Sequence, residues 1–509
     1  MRFLWAGVSA VAAAISTPAS AAWQVAESKH FVIYADEDPG QLGAFANKLE
    51  RFDRVGRYLR GMDDPEIGLG NRLTVFVLPN TTAIQKLAGD EFVKGFYKGR
   101  ASGSVAFVPR RAGDGARYAL STDNIFFHEY AHHLMLQQID RPLPEWIVEG
   151  FAEFMSTVRF ERDGSIGIGA PPMHRARGLL MGRSLPLQTL LAGNYGKLAP
   201  ELRESVYGRG WLMVHYLTFE PARKGQIDRY ADLLANGTSS VDAARTAFGD
   251  LAQFDRDLNG YLNRSRISYL KLAGARFNAG NISVRPLSTG AGKVMPLRVQ
   301  SERGAFASAK ESLAAQVRSI QAQYSGDELV ELTLCETELD AGHADAAANA
   351  ADRALRANAR NSKAMICKGR SMAELAKKLG GPARKAAFVK AREQLIAANK
   401  IDTEDPEALF NYFRTYLMEG VRPTPNAIQA LHYASDLAPQ DVGLRLNSAI
   451  AYLNEGKLKE ARFALVPVAY DPHGRDISQI ARTMIEKIDA GDARAAASVK
   501  PPATAPSPN

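Results

Sequence analysis

The chain has 509 residues, 46% hydrophobic and 23% charged, a balance that supports packed cores and excludes a chain disordered throughout. At roughly 100–200 residues per domain it holds about three or four domains, and two cysteines are too few for a disulfide-stapled architecture. The formal net charge of +8 is spread along the chain rather than gathered in one stripe, which argues against a nucleic-acid partner.

Residues 1–21 read as a cleavable export signal. Arg2 supplies the positive start, Phe3 to Ile15 an apolar stretch too short to span a bilayer, Pro18 a helix breaker, and Ala19-Ser20-Ala21 the small-residue cleavage site. The alternative, a membrane anchor, needs a longer apolar run, and no cysteine follows that could carry a lipid. The protein is therefore expected to be exported, periplasmic or secreted. No later run of about 18 apolar residues occurs, so no integral membrane segment is expected in the mature protein.

The mature chain opens on a β-rich run, His30 to Tyr34. Helical periodicity follows over Asp38 to Arg60, with Leu42, Phe45, Leu49, Phe52, Val55 and Leu59 on one stripe. Leu73 to Leu78 (LTVFVL) is a buried-strand candidate closed by Pro79-Asn80. Ser104 to Val108 reads as an edge strand. Two helices are expected at Asp123 to Gln138 and Pro144 to Val158, then a short strand at Gly164 to Gly169. Helices continue from Leu185 to about Asn263. This order predicts an α+β domain over 22–275. Residues 276–325, with Gly280, Gly290, Gly292, Pro286 and Pro296, read as a junction with two short strands, Ile282 to Val284 and Val294 to Val299.

Residues 326–490 repeat. In the copy Val442 to Pro472, Ala449, Tyr452, Gly456, Ala461 and Pro472 fall at the small, aromatic, glycine, alanine and proline positions of a tetratricopeptide (TPR) repeat. Degenerate copies run Glu328–Asn361, Ser362–Asp405 and Pro406–Pro439. Helix pairs of this kind cannot bury their apolar faces alone and stack on their neighbours; a non-repeating helical domain is the alternative. Cys335 and Cys367 occupy similar repeat phases and read as small core residues, with a disulfide as the other possibility. The Ala-, Pro- and Ser-rich segment 491–509 is expected to be a disordered tail.

The chemistry lies in Phe127-His128-Glu129-Tyr130-Ala131-His132-His133. Histidines four apart on a helix share a face, so His128 and His132 can hold one ion, while Glu129, about 100° around the helix, can reach a water on it. The glycine and third histidine with which one metalloprotease class continues this motif are replaced by Met135 and Gln138. Downstream, Glu145, Glu149 and Glu153 lie four apart on one face of the next helix, where they repel one another unless cations or donors hold them.

H-E-x-x-H followed by Trp146-x-x-Glu149-Gly150-x-Ala152-Glu153 resembles the gluzincin metallopeptidases, the group of thermolysin and aminopeptidase N. Together with the export signal and the repeats, it looks like the bacterial peptidase-MA-like proteins. The resemblance implies a zincin-like fold and one Zn²⁺ per chain on His128, His132 and Glu149. It also implies Glu129 as general base and Glu153 as hydrogen-bond partner of a ligand histidine. Tyr207 is the candidate oxyanion donor, ahead of Arg209 and His215. The diagnostic motifs span only His128 to Glu153. Nothing resembles the G-x-M-E-N stretch by which aminopeptidases hold a free amino terminus, so exopeptidase activity is not implied. The run Gly99 to Val108 sits where such enzymes pair an edge strand with extended substrate.

The expectation is thus an exported zinc metallopeptidase acting on a peptide or protein substrate, with TPR-like repeats open to a protein partner. The alternative is a non-catalytic TPR scaffold with a vestigial metal site. His133 is expected to pack or hydrogen-bond locally. His30, His174, His343, His432 and His473 carry no assigned role.

Overall fold

A computed structural model describes residues 23–113, 119–137, 141, 143–180, 185–193, 195, 198–471 and 475–499. The expected export signal lies outside these residues.

The chain begins with an antiparallel pair, β1 (Trp23–Glu27) and β2 (Phe31–Asp36). Helix α1 (Pro39–Arg60) starts where the Asp38 side chain accepts the backbone N–H of Gln41, and it ends at Gly61, whose φ of +62° suits glycine. Then come β3 (Leu73–Leu78), α2 (Thr81–Ala88), β4 (Phe96–Lys98) and β5 (Val105–Pro109). With β9 (Ser283–Pro286) they form one mixed sheet, in the order β4-β5-β3-β2-β1-β9. Strands β2, β3 and β5 are mutually parallel, with Ile33 opposite Val75 and Val75 opposite Ala106.

Both faces of this sheet are covered, which is why LTVFVL is a continuous apolar run rather than an alternating one. Phe31, Ile33, Val75, Val77, Ala106 and Val108 join the main core with α1 and the helix α3 (Thr122–Gln137). Tyr34, Phe76, Leu78 and Phe107 face the other way, against Ile84 of α2 and Met295 and Val299 of α11 (Thr289–Arg303).

After α3 come α4 (Glu145–Ser156), α5 (Ala176–Leu180), α6 (Leu187–Ala192) and α7 (Pro200–Phe219). Helices α8 (Gln226–Ala235), α9 (Ser240–Phe248) and α10 (Leu251–Leu262) complete this part of the core. A small antiparallel sheet joins β6 (Arg159–Phe160), β7 (Ile166–Ile168) and β8 (Leu270–Leu272). Helices α11 and α12 (Lys310–Gln321) lead into four helix pairs. These are α13 (Glu328–Asp340) with α14 (Ala344–Ala357), α15 (Ser362–Ala376) with α16 (Gly381–Ile401), α17 (Pro406–Glu419) with α18 (Pro425–Leu437), and α19 (Val442–Asn454) with α20 (Leu458–Ala469). The pairs coincide with the four sequence repeats, so the chain is largely helical, with a small mixed sheet near its N-terminal end and TPR-like repeats behind it. Helices α21 (Arg475–Asp489) and α22 (Ala493–Ala497) close the array.

Several expectations need correction. Ser104–Val108 is not the sheet edge: β5 lies inside, and the three-residue β4 covers it, with Phe96 stacked on Phe107. The stretch 276–325 is not a linker. Its first apolar run leads into β9, which pairs antiparallel with β1. Its second, Val294 to Val299, lies inside α11, with Met295 and Val299 one turn apart on the sheet. Tyr207 lies within α7 (Pro200–Phe219). The tail expected from 491 includes α22, with Ala496 buried in the last core cluster; residues beyond 499 lie outside the described set. Cys335 and Cys367 form a disulfide between α13 and α15, because matching repeat phases bring their Cα atoms to 6.4 Å.

The repeats are not suspended from the N-terminal part; they grip two of its loops. Glu404 and Asp402 accept the backbone N–H groups of Gly68 and Gly70 at 3.0 Å, and Asp441 accepts that of Ala101 at 2.7 Å. A Cβ on Gly70 would fall 2.7 Å from Asp405 Cγ, so the approach needs glycine there.

Candidate metal centre

Helix α3 is apolar on most sides because it is packed on most sides. Phe127 stacks on Phe52 of α1 at 3.9 Å between centroids, and a Cβ on Gly56 would meet Leu134 Cδ1 at 2.4 Å. A polar seam fixes the rotation of α3 about its axis. Asp53 accepts from the Tyr130 hydroxyl at 2.8 Å and from Arg57 at 2.9 Å. Arg57 also donates to the Gln137 carbonyl, and the Gln137 amide to His133 Nε2 at 2.8 Å. The other His133 nitrogen meets the Tyr97 hydroxyl at 2.8 Å. Burial, aided by Arg57, pushes the His133 pKa down to about 3. His133 is therefore a neutral packing residue, as expected of it.

With α3 held so, His128 and His132 face α4. Helix α4 carries Glu149 and Glu153 on the facing stripe and is crossed closely by α7. A Cβ on Gly150 would fall 2.5 Å from the Gly210 backbone, so the glycine after Glu149 lets α7 reach the site. His128 Nε2 lies 3.2 Å from His132 Nε2 and 3.3 Å from Glu149 Oε2, and the third edge, His132 Nε2 to Glu149 Oε2, is 3.7 Å. Four-coordinate zinc with bonds of about 2.0–2.1 Å has ligand atoms roughly 3.3 Å apart, so this triangle fits the ion with little adjustment. Two imidazoles and a carboxylate leave the fourth position for water or substrate. Glu129, one position along α3, is half-buried, and its charge helps to raise the pKa values of His128 and Tyr207.

The surrounding charges are graded. Burial disfavours a charged His128, but the Glu149 hydrogen bond and the charges of Glu153, Glu149 and Glu129 push its pKa up to about 9. The same carboxylates would neutralise a divalent cation, whose binding must displace that proton. Glu153 faces His128 Nδ1 at 3.5 Å. Burial opposes its ionisation, but Arg175, then His174 and His128, hold its pKa well below the usual carboxylate range. Arg175 Nη2 lies 2.6 Å from Glu153 Oε1 and His174 Nε2 2.9 Å from Oε2. Neither partner was singled out from the sequence. They come from a turn 21 and 22 residues beyond Glu153, and no periodicity marks them.

Tyr207 reaches the site from α7, with its ring 6.1 Å from that of His128 and Arg175 4.6 Å above it. Glu149 and burial raise its pKa, keeping it a protonated donor. The runners-up are engaged elsewhere: Arg209 with Asp255 and Asn259, and His215 with the Gly169 carbonyl and the Tyr261 hydroxyl. Glu145 stands at the start of α4, one turn before Glu149. A second convergence, His30 with Asp53 and Asp64, also includes Glu50, 2.8 Å from His30 Nδ1; Arg57 pairs with Asp53 and Lys29 with Asp64, and against burial Glu50 and Asp53 raise the His30 pKa, which favours its protonated, non-ligating form.

No protein-family model matches the chain, and no curated protein matches it. Among solved structures it is similar to a thermophilic TPR protein of Thermus thermophilus, at 17% identity and a TM-score of 0.33, covering 38% of this chain and 97% of that one.

Proposed function

We propose that the protein is a zinc-dependent metallopeptidase, exported from the cell, whose helical repeats are built onto its catalytic part. The observation that carries this reading is the triangle of His128, His132 and Glu149, its edges close to those of a zinc coordination shell, with the Glu129 carboxylate one residue along α3 and near enough to act on His128 and Tyr207. When bound, zinc would act as a Lewis acid toward a water and a peptide carbonyl. Glu129 would take the proton of that water and deliver it to the departing amine. Tyr207 would donate a hydrogen bond to the oxygen that gains charge as the carbonyl is attacked. Glu153 would keep the His128 ring oriented, and Arg175 and His174 would keep Glu153 ionised and in place.

The test is Glu129→Gln in the full chain. It should retain zinc and its melting temperature while cleavage of a casein or peptide-library substrate falls by at least about 100-fold, the low end of what a general base contributes. Cleavage near the wild-type rate would remove Glu129 from this role.

A second reading, a repeat scaffold with a vestigial metal site, is favoured by the four stacked helix pairs and the extent of their grip on loops 68–71 and 99–104. It predicts retained partner binding and no chelator-sensitive cleavage.

A further inference from the structure

Of the three arginines buried below a tenth exposure among the described residues, Arg57 and Arg209 are ion-paired, with Asp53 and Asp255. The third, Arg445 near the start of α19, is not. It is 7% exposed, its Nε donates to the Pro439 carbonyl at 2.5 Å, and no carboxylate of the described residues lies within 4.0 Å of its guanidinium. A buried charge with no counter-ion is costly. Burial pushes the Arg445 pKa down to about 10, opposed among the described residues by the more distant Asp436.

Arg445 lines a cleft of about 750 Å³ between the last repeats and the C-terminal end of α3. Gln137 forms the α3 side, five residues past His132, which at 1.5 Å per residue is about 7.5 Å along the helix axis. Five residues also carry the helix about 140° beyond a full turn, so the cleft opens on the side of α3 turned away from His132, beside His133, whose Nε2 the Gln137 amide meets at 2.8 Å. Tyr452 and Phe463 give it an aromatic wall, and Phe463 is 56% exposed. Its other charged groups, Asp436, Lys459 and Glu460, all stand exposed at the rim.

We propose that this cleft recognises an extended polypeptide segment bearing an acidic side chain, whose carboxylate becomes the counter-ion of Arg445, with an apolar neighbour against Phe463. The proposal rests on the peptidase reading, since it takes the segment to be part of the substrate. Rim acids Asp436 and Glu460 disfavour a run of acidic residues, so one carboxylate is selected rather than a polyanion.

Binding is measured apart from turnover, by fluorescence anisotropy on the full chain carrying Glu129→Gln. The probes are N-acetylated, C-amidated decapeptides of Gly, Ser and one Phe, with a single Glu walked along them, each paired with its Gln counterpart. At least one Glu peptide should bind about 10- to 100-fold more tightly than its Gln partner, the range of a charge-assisted hydrogen bond. Adding Arg445→Gln should erase the difference. A fluorophore on Lys459→Cys at the rim, with Arg445 and Phe463 intact, should respond to the same Glu peptide, which keeps the test valid if Arg445→Gln does not fold. Equal binding of all pairs, a preference that survives Arg445→Gln, or a silent fluorophore would each overturn the proposal. Failure of the peptidase reading shows separately, as unchanged cleavage in Glu129→Gln.

Discussion

Glu145, Glu149 and Glu153 are chemically identical and share one helical stripe, yet their surroundings give them three different tasks. Glu149 points between two imidazoles, Glu153 is clamped by Arg175 and His174 behind His128, and Glu145 sits in the first turn of α4. Substitution by Gln should separate them. Glu149→Gln should weaken zinc most and abolish cleavage. Glu153→Gln should lower zinc affinity or activity by roughly 10–100-fold, the usual effect of losing a partner of a ligand. Glu145→Gln should be nearly silent, a carboxylate in the first turn being worth about 0.3–1 kcal/mol. Zinc titrations and peptide cleavage check the ranking, and Glu145→Gln as the most damaging change would contradict it. At this scale the sequence was informative where the helix repeat does the placing: spacings of four put His128 with His132 on one face, and Glu145, Glu149 and Glu153 on another, while the choice of Glu149 and Glu153 came from the resemblance of the Trp146-x-x-Glu149-Gly150 motif. His174 and Arg175 were not legible, because an irregular turn brings them to Glu153. The unpaired charge of Arg445 was not legible either, since it depends on what fails to surround it.

Among the elements, length and punctuation decided what could be read. LTVFVL is legible because a strand buried on both faces needs no alternation. Strand β4 is three residues long, too short for any period. Val294–Val299 looked like a strand because glycines and a proline flank and interrupt it, but Pro296 sits inside α11 and the run packs by the helical spacing of Met295 and Val299. These corrections change what a truncation should do. Ending the chain near residue 275 removes β9 from β1 and uncovers the stacked rings of Tyr34, Phe76 and Phe107. Met295 and Val299 alone account for about 1.5–3 kcal/mol each on burial. The truncated protein should aggregate or melt at least about 10 °C lower, and be more damaged than one ending at residue 321, after α12, which keeps β9 and α11 on the sheet but uncovers Leu313 and Val317. Native-like melting of the shorter form by circular dichroism would show that β9 and α11 are dispensable.

For the whole molecule, the repeats are a continuation of the N-terminal part rather than an appended module. Their turns accept backbone N–H groups of loops 68–71 and 99–104, and Gln440 donates to Ser104, the residue that accepts the Tyr97 hydroxyl beside His133. That hydrogen-bond chain links the last repeats to the helix bearing His128 and His132. The array itself was visible in the sequence, since glycine, alanine and aromatic positions recur with the helix pairs. Its docking was not, because it is made by backbone amides and by glycines chosen for the room they leave. All of these roles depend on one claim, that His128, His132 and Glu149 together hold a single divalent ion. The most direct measurement is the zinc content per chain, by mass spectrometry of the full protein after zinc loading and exhaustive dialysis, beside His132→Ala and Glu149→Gln at equal folded fraction. The account predicts one zinc per wild-type chain and less than about a tenth of that in His132→Ala, since a two-ligand remnant loses most of the affinity of a three-ligand site. Zinc-free wild-type protein, or full occupancy in both variants, would contradict it.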